Sequence, residues 1–287
     1  MNIKDVPYFE KLQSHLKRSV AFAIEEDMED GDITAQLIPE NQTSKAQIIA
    51  KEDGVFCGRD WVDEVFFQVD PEVTLHWYLE DGDKFEVGDT LVDISGPSRS
   101  ILTAERPALN YLQTLSGTAT VSRRYASTAQ GKNIQVLDTR KTIPGLRLAQ
   151  KYAVRVGGCH NHRLGLYDMF LIKENHIAAA GGIENAVKAC ATIRPEAPIE
   201  VEVENLEEFR IANSLPDVDY IMLDEMSEKD SREALTQVSP EHQLEISGGV
   251  DLDRMIHIEA FEKPVRCSSG LITKAIMPID LSLRIIE

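Results

Sequence analysis

The chain has 287 residues, 43% of them hydrophobic and 27% charged, with a formal charge of -18. That composition describes a globular protein with a substantial core, and no apolar run approaches the roughly 20 residues a membrane-spanning helix needs. The acidity excludes a sequence-independent nucleic-acid binder, which requires a basic surface.

The first ten residues mix charged and apolar side chains and lack a signal-peptide core, so a cytoplasmic location is expected. Residues 8–26 have helical spacing through Phe9, Leu12, Leu16, Val20 and Ala23. Strands are predicted at 46–50, 73–79 and 90–94, separated by the turn signals Glu52-Asp53-Gly54 and Asp81-Gly82-Asp83. The stretch "EDGDKFEVGDTLVDISGP" has the turn rhythm of biotinyl and lipoyl carriers. Lys84 lies one residue past the Gly82-Asp83 turn without a carrier motif around it, so a carrier is the minor alternative. Residues 105–126 read as a helix with Arg106-Pro107 in its first turn and Leu109, Leu112 and Leu115 on its apolar side.

Beyond residue 130 the pattern changes. Apolar runs "IQVLDT" (134–139), "MFLIKEN" (169–175), "IEVEVEN" (199–205), "YIMLDE" (220–225), "LEISGG" (244–249) and "VRCSSG" (265–270) alternate with helix-like stretches. This alternation predicts a parallel α/β sheet. Six runs fall short of the eight of a full barrel, so an incomplete α/β barrel and an open sheet both stay open. Every run ends in polar or charged residues, and ligands of such folds bind at the carboxyl ends of the strands.

Charge is concentrated there too. Between positions 138 and 176, Arg140, Lys141, Arg147, Lys151, Arg155, Arg163 and Lys173 stand against Asp138, Asp168 and Glu174. Seven cations against three acids make a local +4, leaving -22 on the remainder. His160, His162 and His176 share the window. A cationic island in an acidic chain points to a small, highly charged anion.

Strand alternation in "IEVEVEN" puts Ile199, Val201 and Val203 on one face and Glu200, Glu202 and Glu204 on the other. In a barrel the glutamates point inward and need cations, a metal or hydrogen bonds; on an edge strand they form a solvated acidic face. His160-x-His162 has no acidic or cysteine partner at zinc-ligand spacing, so anion contact by His162 and Arg163 is the better reading. The loops Ser247-Gly248-Gly249 and Ser268-Ser269-Gly270 each follow an apolar run and allow close approach of a phosphate; an ordinary tight turn is the alternative. Cys57, Cys159, Cys190 and Cys267 form no C-x-x-C pair and read as reduced, buried thiols.

The segments "EDMEDGDITAQLIP", "ERPALNYLQTLSGTAT", "DTRKTIPGLRLAQKYAVRVGG", "NHRLGLYDMFLIKENHI", "EVEVENLEE", "IMLDEMS" and "EISGGV" together resemble the quinolinate phosphoribosyltransferases. The resemblance implies an α/β fold of two domains. One is an N-terminal α/β sandwich, residues 1–114, completed by the tail, 275–287; the other is an incomplete parallel α/β barrel, residues 115–274. It implies transfer of phosphoribose from 5-phosphoribosyl-1-pyrophosphate to quinolinate with Mg²⁺, releasing pyrophosphate and CO₂. It implies a homodimer with shared active sites, or a hexamer, with no nucleic acid or membrane as partner. The resemblance places Arg140, His162, Arg163 and Lys173 on quinolinate, with Thr139 beside them, and Arg106 in the partner subunit's site. Lys141 falls near the pyrophosphate and, with Glu202 and Asp224, carries the catalytic expectation; Glu202 and Asp224 are also the metal candidates, directly or through water or substrate. Ser247, Gly248 and Gly249 match one phosphate loop, and Ser268, Ser269 and Gly270 the other. Cys159 stands where the family commonly has a third glycine, and Lys274 where histidine is common. A paralogous phosphoribosyltransferase with another acceptor is the enzymatic alternative.

Overall fold

A computed structural model describes residues 1–286. In chain order its first elements are α1 (Phe9–Met28), β1 (Thr43–Ala50), β2 (Gly54–Val55), α2 (Arg59–Val69), β3 (Thr74–Trp77), β4 (Lys84–Phe85), β5 (Thr90–Pro97) and α3 (Ser98–Ala129). They are followed by β6 (Ile134–Leu137), α4 (Arg147–Val156), β7 (Phe170–Ile172), α5 (Glu174–Ala180), α6 (Ile183–Ile193), β8 (Ile199–Val203) and α7 (Leu206–Asn213). The last are β9 (Tyr220–Asp224), α8 (Glu228–Gln237), β10 (Gln243–Ser247), α9 (Leu252–His257), β11 (Val265–Ser268), α10 (Leu271–Lys274) and β12 (Leu281–Ile285).

The chain divides into two compact units. The first comprises Met1–Arg124, Thr142–Gly158 and the residues from Ile272 onward. Its antiparallel sheet has the order β12-β1-β5-β3, so the C-terminal tail supplies an edge strand. Alternate residues of β1, Ser44, Ala46, Ile48 and Ala50, are buried, the pattern of a sheet with one covered face. On α1, Leu12, Leu16 and Val20 are buried at the predicted helical spacing. Two expectations need correction. Helix α3 begins at Ser98, immediately after β5, so Pro107 lies inside it and not in its first turn. Proline is favoured in a first turn because no helical acceptor is wasted there, yet a long helix anchored by its neighbours accommodates the one missing N–H. Lys84 belongs to β4, paired with β2, and does not occupy a hairpin tip.

The second unit, Tyr125–Lys141 with Cys159–Leu271, contains all six predicted strands in one parallel sheet of order β6-β11-β10-β9-β8-β7. The polypeptide between the strands grouped this way differs from the division 115–274: residues 142–158, which carry α4, pack with the first unit. Val201, Val203, Ile221, Leu223 and Leu244 join Ala186, Val187 and Cys190 of α6, Phe209 and Ala212 of α7 and Ala234 of α8 in one apolar core. That core consumes one face of β8, β9 and β10 and takes in Ile172 of β7. Strand alternation sends Glu200, Glu202, Met222, Asp224, Glu245, Ser247, Arg266 and Ser268 to the other face. Glu204 does not join them: β8 stops at Val203, and Glu204 is exposed beside Asn205, whose side chain caps α7. The barrel is incomplete, β6 and β7 being edges, and a single parallel bridge from Leu137 to His160 extends the sheet beside β6.

Candidate active site

Parallel strands end at the same rim, so residues far apart in sequence meet there. Thr139, Arg140 and Lys141 follow β6; Lys173 follows β7; Glu202 lies near the end of β8; Asp224, Ser247 and Ser268 end β9, β10 and β11. With His162, Arg163, Leu171 and Met222 they line a cavity of about 270 Å³. A larger cavity of about 650 Å³ lies in the first unit between α1 and α3, but its walls mix Phe22, Pro107 and Tyr111 with scattered charges. Of the two, the smaller gathers the cations of the strand ends.

The rim is held by its own backbone. Asp138 is fully buried; its carboxylate accepts from His162 N at 2.9 Å and Asn161 Nδ2 at 2.7 Å. Strand β6 and the 160–163 loop are thereby locked together beside Arg140 and Arg163. Thr139 Oγ1 accepts from Lys141 N at 3.0 Å, shaping the turn. Arg163 Nη1 donates to Met169 O at 3.1 Å. Lys173 is the N-cap of α5, and its own N–H donates to His176 Nδ1 at 3.0 Å.

The electrostatics are those of an anion site. The Arg163 guanidinium is held below its ordinary pKa, first by burial and then by the nearby Arg140. Like charges brought together this way are relieved by an anion. Lys173 Nζ pairs with Glu202 Oε2. Burial pushes the Glu202 carboxyl up, Lys173 opposes this, and Asp224 adds to the rise.

His162 differs from expectation. Its Nδ1 accepts from Arg163 N at 2.7 Å, while Nε2 lies 2.9 Å from Glu200 Oε2 and 3.4 Å from Glu245 Oε1. Both ring nitrogens are therefore engaged by the protein, although the ring lines the cavity. Burial disfavours a charge on His162, but Glu200 and Glu245 outweigh it and raise the group to about 9. A second proton would have to sit on Nδ1, where the Arg163 amide proton already points, and two N–H groups cannot face each other across 2.7 Å. The geometry decides the tautomer: the ring carries one proton, on Nε2.

The two small-residue loops divide in role. Ser247 and Ser268 line the cavity. Ser269 does not: it is buried and its hydroxyl donates to Val250 O. Gly248 has φ +83°, and Gly270 lies so close to Lys141 that an added Cβ would come within 2.8 Å of its Cδ. These glycines, with Gly249, shape the rim without lining it. Helix α9 starts only at Leu252, capped by Asp251, so Gly248-Gly249 is not a direct helix N-terminus. Arg106 is exposed on α3 and is not among the lining residues. Cys159 is buried and Lys274 exposed.

Sequence reasoning missed Leu171 and Met222, which carry no charge signal, and Glu245 and Arg266, single charged residues in apolar runs. It also missed Arg254, whose guanidinium bonds the Gly248 carbonyl. Among the described residues, His162, Glu200 and Glu245 could converge on one cation, but the Arg266 guanidinium already stands 3.1 Å from Glu245. Glu202 and Asp224 offer hard oxygen donors on the cavity wall, a set that suits Mg²⁺ completed by phosphate and water oxygens.

A parallel, incomplete α/β sheet whose strand ends gather arginines, lysines and two carboxylates around one cavity is suited to binding small anions. Residues 32–116 match the N-terminal domain model, and residues 118–284 the C-terminal domain model, of quinolinate phosphoribosyl transferase; the chain belongs to this family. It is 37% identical to quinolinate phosphoribosyltransferase [decarboxylating] 1 of Nicotiana glauca, over 94% of this chain and 82% of that one. It is 36% identical to the probable nicotinate-nucleotide pyrophosphorylase [carboxylating] of Bacillus subtilis, over 93% of this chain and 92% of that one. The nicotinate-nucleotide pyrophosphorylase of Francisella tularensis superposes with a TM-score of 0.89 at 40% identity, covering 100% of this chain and 99% of that one.

Proposed function

We propose that the chain joins quinolinate to 5-phosphoribosyl-1-pyrophosphate and decarboxylates the adduct, a step of NAD biosynthesis yielding nicotinate mononucleotide, pyrophosphate and CO₂. The observation that carries this reading is the convergence of Arg140, Lys141, Arg163 and Lys173 on one small cavity in a chain of charge -18. Quinolinate brings two carboxylates, and the donor brings a phosphate and a pyrophosphate. Fixed cations in a partly desolvated cavity bind such charge far better than mobile surface lysines.

Arg140 and Arg163 face the quinolinate carboxylates, with Lys173 between them and Glu202. Lys141, on the rim beside Gly270, attends the pyrophosphate. Glu202 and Asp224 lie where positive character develops at the anomeric carbon as its bond to pyrophosphate breaks. The ring nitrogen supplies the electron pair for the new C–N bond, and pyrophosphate leaves with the pair of the old C–O bond. The C2 carboxylate then departs as CO₂, its bonding pair remaining on C2, beside the cationic nitrogen, until a proton replaces it. The chain's contribution is positioning and charge; no nucleophilic side chain is required. Mg²⁺, held by Glu202 and Asp224, would neutralise pyrophosphate oxygens.

A homodimer in which Arg106 enters the partner subunit's site completes the reading, since Arg106 is exposed and lies outside its own chain's cavity lining. We place the protein in the cytoplasm: all four cysteines are free and buried, which suits a reducing compartment. Among the described residues no helix is long and apolar enough to cross a membrane.

The deciding experiment follows CO₂ release from carboxyl-labelled quinolinate with and without phosphoribosyl pyrophosphate and Mg²⁺. Release requiring both is expected. No release from folded protein would overturn the assignment and favour another acceptor on the same fold.

A further inference from the structure

Directly beneath the cavity lies a second inward-facing layer that the reaction does not use. Moving two residues back along each strand shifts one layer down the same face, about 7 Å. That step leads from Glu202 to Glu200, from Ser247 to Glu245 and from Ser268 to Arg266. Glu200 and Glu245 are completely buried and Arg266 nearly so. Arg266 Nε lies 3.1 Å from Glu245 Oε2, and its guanidinium stacks 4.0 Å above the Tyr220 ring. Its Nη1 is 4.0 Å from Glu200 Oε1. Burial and the adjacent Glu245 push the Glu200 carboxyl up, whereas His162 and Arg266 hold Glu245 below the ordinary range in spite of its burial.

The layer reaches the cavity at two points. Ser268, which lines the cavity, follows Arg266 by two residues on β11 and so stands one layer above it on the same face. His162 turns Nε2 down to Glu200 and Glu245 and turns Nδ1 to the Arg163 amide. His162 N is in turn anchored on Asp138. The imidazole is thus a strut between the buried carboxylates and the backbone of the arginine assigned to quinolinate. It spans the inside of the incomplete barrel from the β6 edge to β8 and β10.

We infer that Glu200, Glu245 and Arg266 are positioning residues for quinolinate, acting through His162 on Arg163, and that His162 is a strut and not an anion donor. This rests on the proposed acceptor. A salt bridge kept only for stability would leave substrate discrimination alone. A strut predicts a selective loss, because a sub-ångström shift of one guanidinium weakens one substrate's contacts.

Two measurements test it. First, ring ¹⁵N shifts are recorded on histidine-labelled wild type, with His162 assigned by its loss in His162→Gln. One proton on Nε2 and a bare Nδ1 are expected, unchanged by saturating quinolinate alone. A doubly protonated ring, or an Nδ1 that responds to quinolinate, overturns the strut. Second, Glu200→Gln and Glu245→Gln are assayed for both substrates, with Arg266→Lys as the substitute if either fails to fold. The quinolinate KM should rise about tenfold, a loss of about 1.4 kcal/mol, while the phosphoribosyl pyrophosphate KM stays within about twofold. An unchanged quinolinate KM in a folded variant, or an equal rise for both substrates, overturns the inference. Failure of the wild type to release labelled CO₂ sinks the proposed acceptor instead, and the ring tautomer can be read regardless of that outcome.

Discussion

Arg140 and Arg163 line one cavity, and burial together with the nearby Arg140 holds the Arg163 guanidinium below its ordinary pKa. Cations that repel each other in this way favour an anion between them. Arg140→Ala is expected to weaken quinolinate binding by about 2–3 kcal/mol, the worth of a charged hydrogen bond away from water, as read by calorimetry; unchanged affinity would remove Arg140 from the site. A different residue governs acid behaviour. Asp81 is buried in the first unit, accepting from Tyr152 Oη at 2.6 Å and from the amides of Gly58 and Arg59. Burial raises its pKa from 3.8 to about 6 against the pull of those donors. The folded state therefore binds a proton more tightly than the unfolded chain, so this group's contribution falls as pH rises from about 4 to about 6 and is flat above. The difference approaches 3 kcal/mol, taking about 1.36 kcal/mol per unit. Asp81→Asn should gain stability relative to wild type between pH 4.5 and pH 7, seen as a melting-temperature difference that grows with pH. A difference constant across that range would mean Asp81 titrates as an ordinary surface acid.

At the scale of the element, the turn after β10 matters more than its helix. Gly248 and Glu225 close adjacent strands and both have positive φ, +83° and +51°. A Cβ on Gly248 would fall 2.5 Å from Glu225 Cγ and 2.8 Å from Glu225 N, so the backbone itself would have to move. Gly249 also has positive φ, +59°, but its nearest neighbour would be 3.9 Å away. Alanine at Gly249 should cost about 1 kcal/mol of left-handed strain alone. Alanine at Gly248 should cost at least about 1 kcal/mol more and raise the phosphoribosyl pyrophosphate KM, since a displaced rim is added to the strain. Denaturant melts and steady-state kinetics of the two variants make the comparison; equal losses would mean the rim yields freely.

For the whole molecule, the question is whether one chain suffices. Its net charge of -18 opposes association unless specific contacts overcome the repulsion. The exposed Arg106 on α3 is a cation placed to make such a contact in the proposed shared site. Inactive Arg106→Ala and Lys173→Ala subunits, when mixed, should recover activity, because one site of each mixed dimer then holds both wild-type residues. Half-sites assembled at random would give about one quarter of the wild-type sites in an equimolar mixture under the shared-site geometry of C₂ dimers. No recovery despite exchange confirmed by mass spectrometry would confine each site to one chain.

How much of this was legible in the sequence follows from which interactions are local. The six strands were readable as short apolar runs between helix-like stretches, because strands of a parallel sheet are covered on both faces, as β8 and β11 are along their whole length. The charged residues of the cavity were readable because parallel strands share one rim: Arg140, Lys173, Glu202 and Asp224 meet wherever they fall in the chain, provided each lies at or just past a strand end. The start of α3 was not readable, since Pro107 is a strong local signal that a helix already under way at Ser98 overrides. Nor was the union of Glu200, Glu245, Arg266 and His162. That layer depends on β10 lying between β9 and β11 and on a loop beside β6 reaching across the interior. Strand order is settled by packing among distant segments, so the chain alone determined which face and which end each residue occupies. Only the tertiary structure decided which residues meet, and that His162 spends both ring nitrogens on the protein.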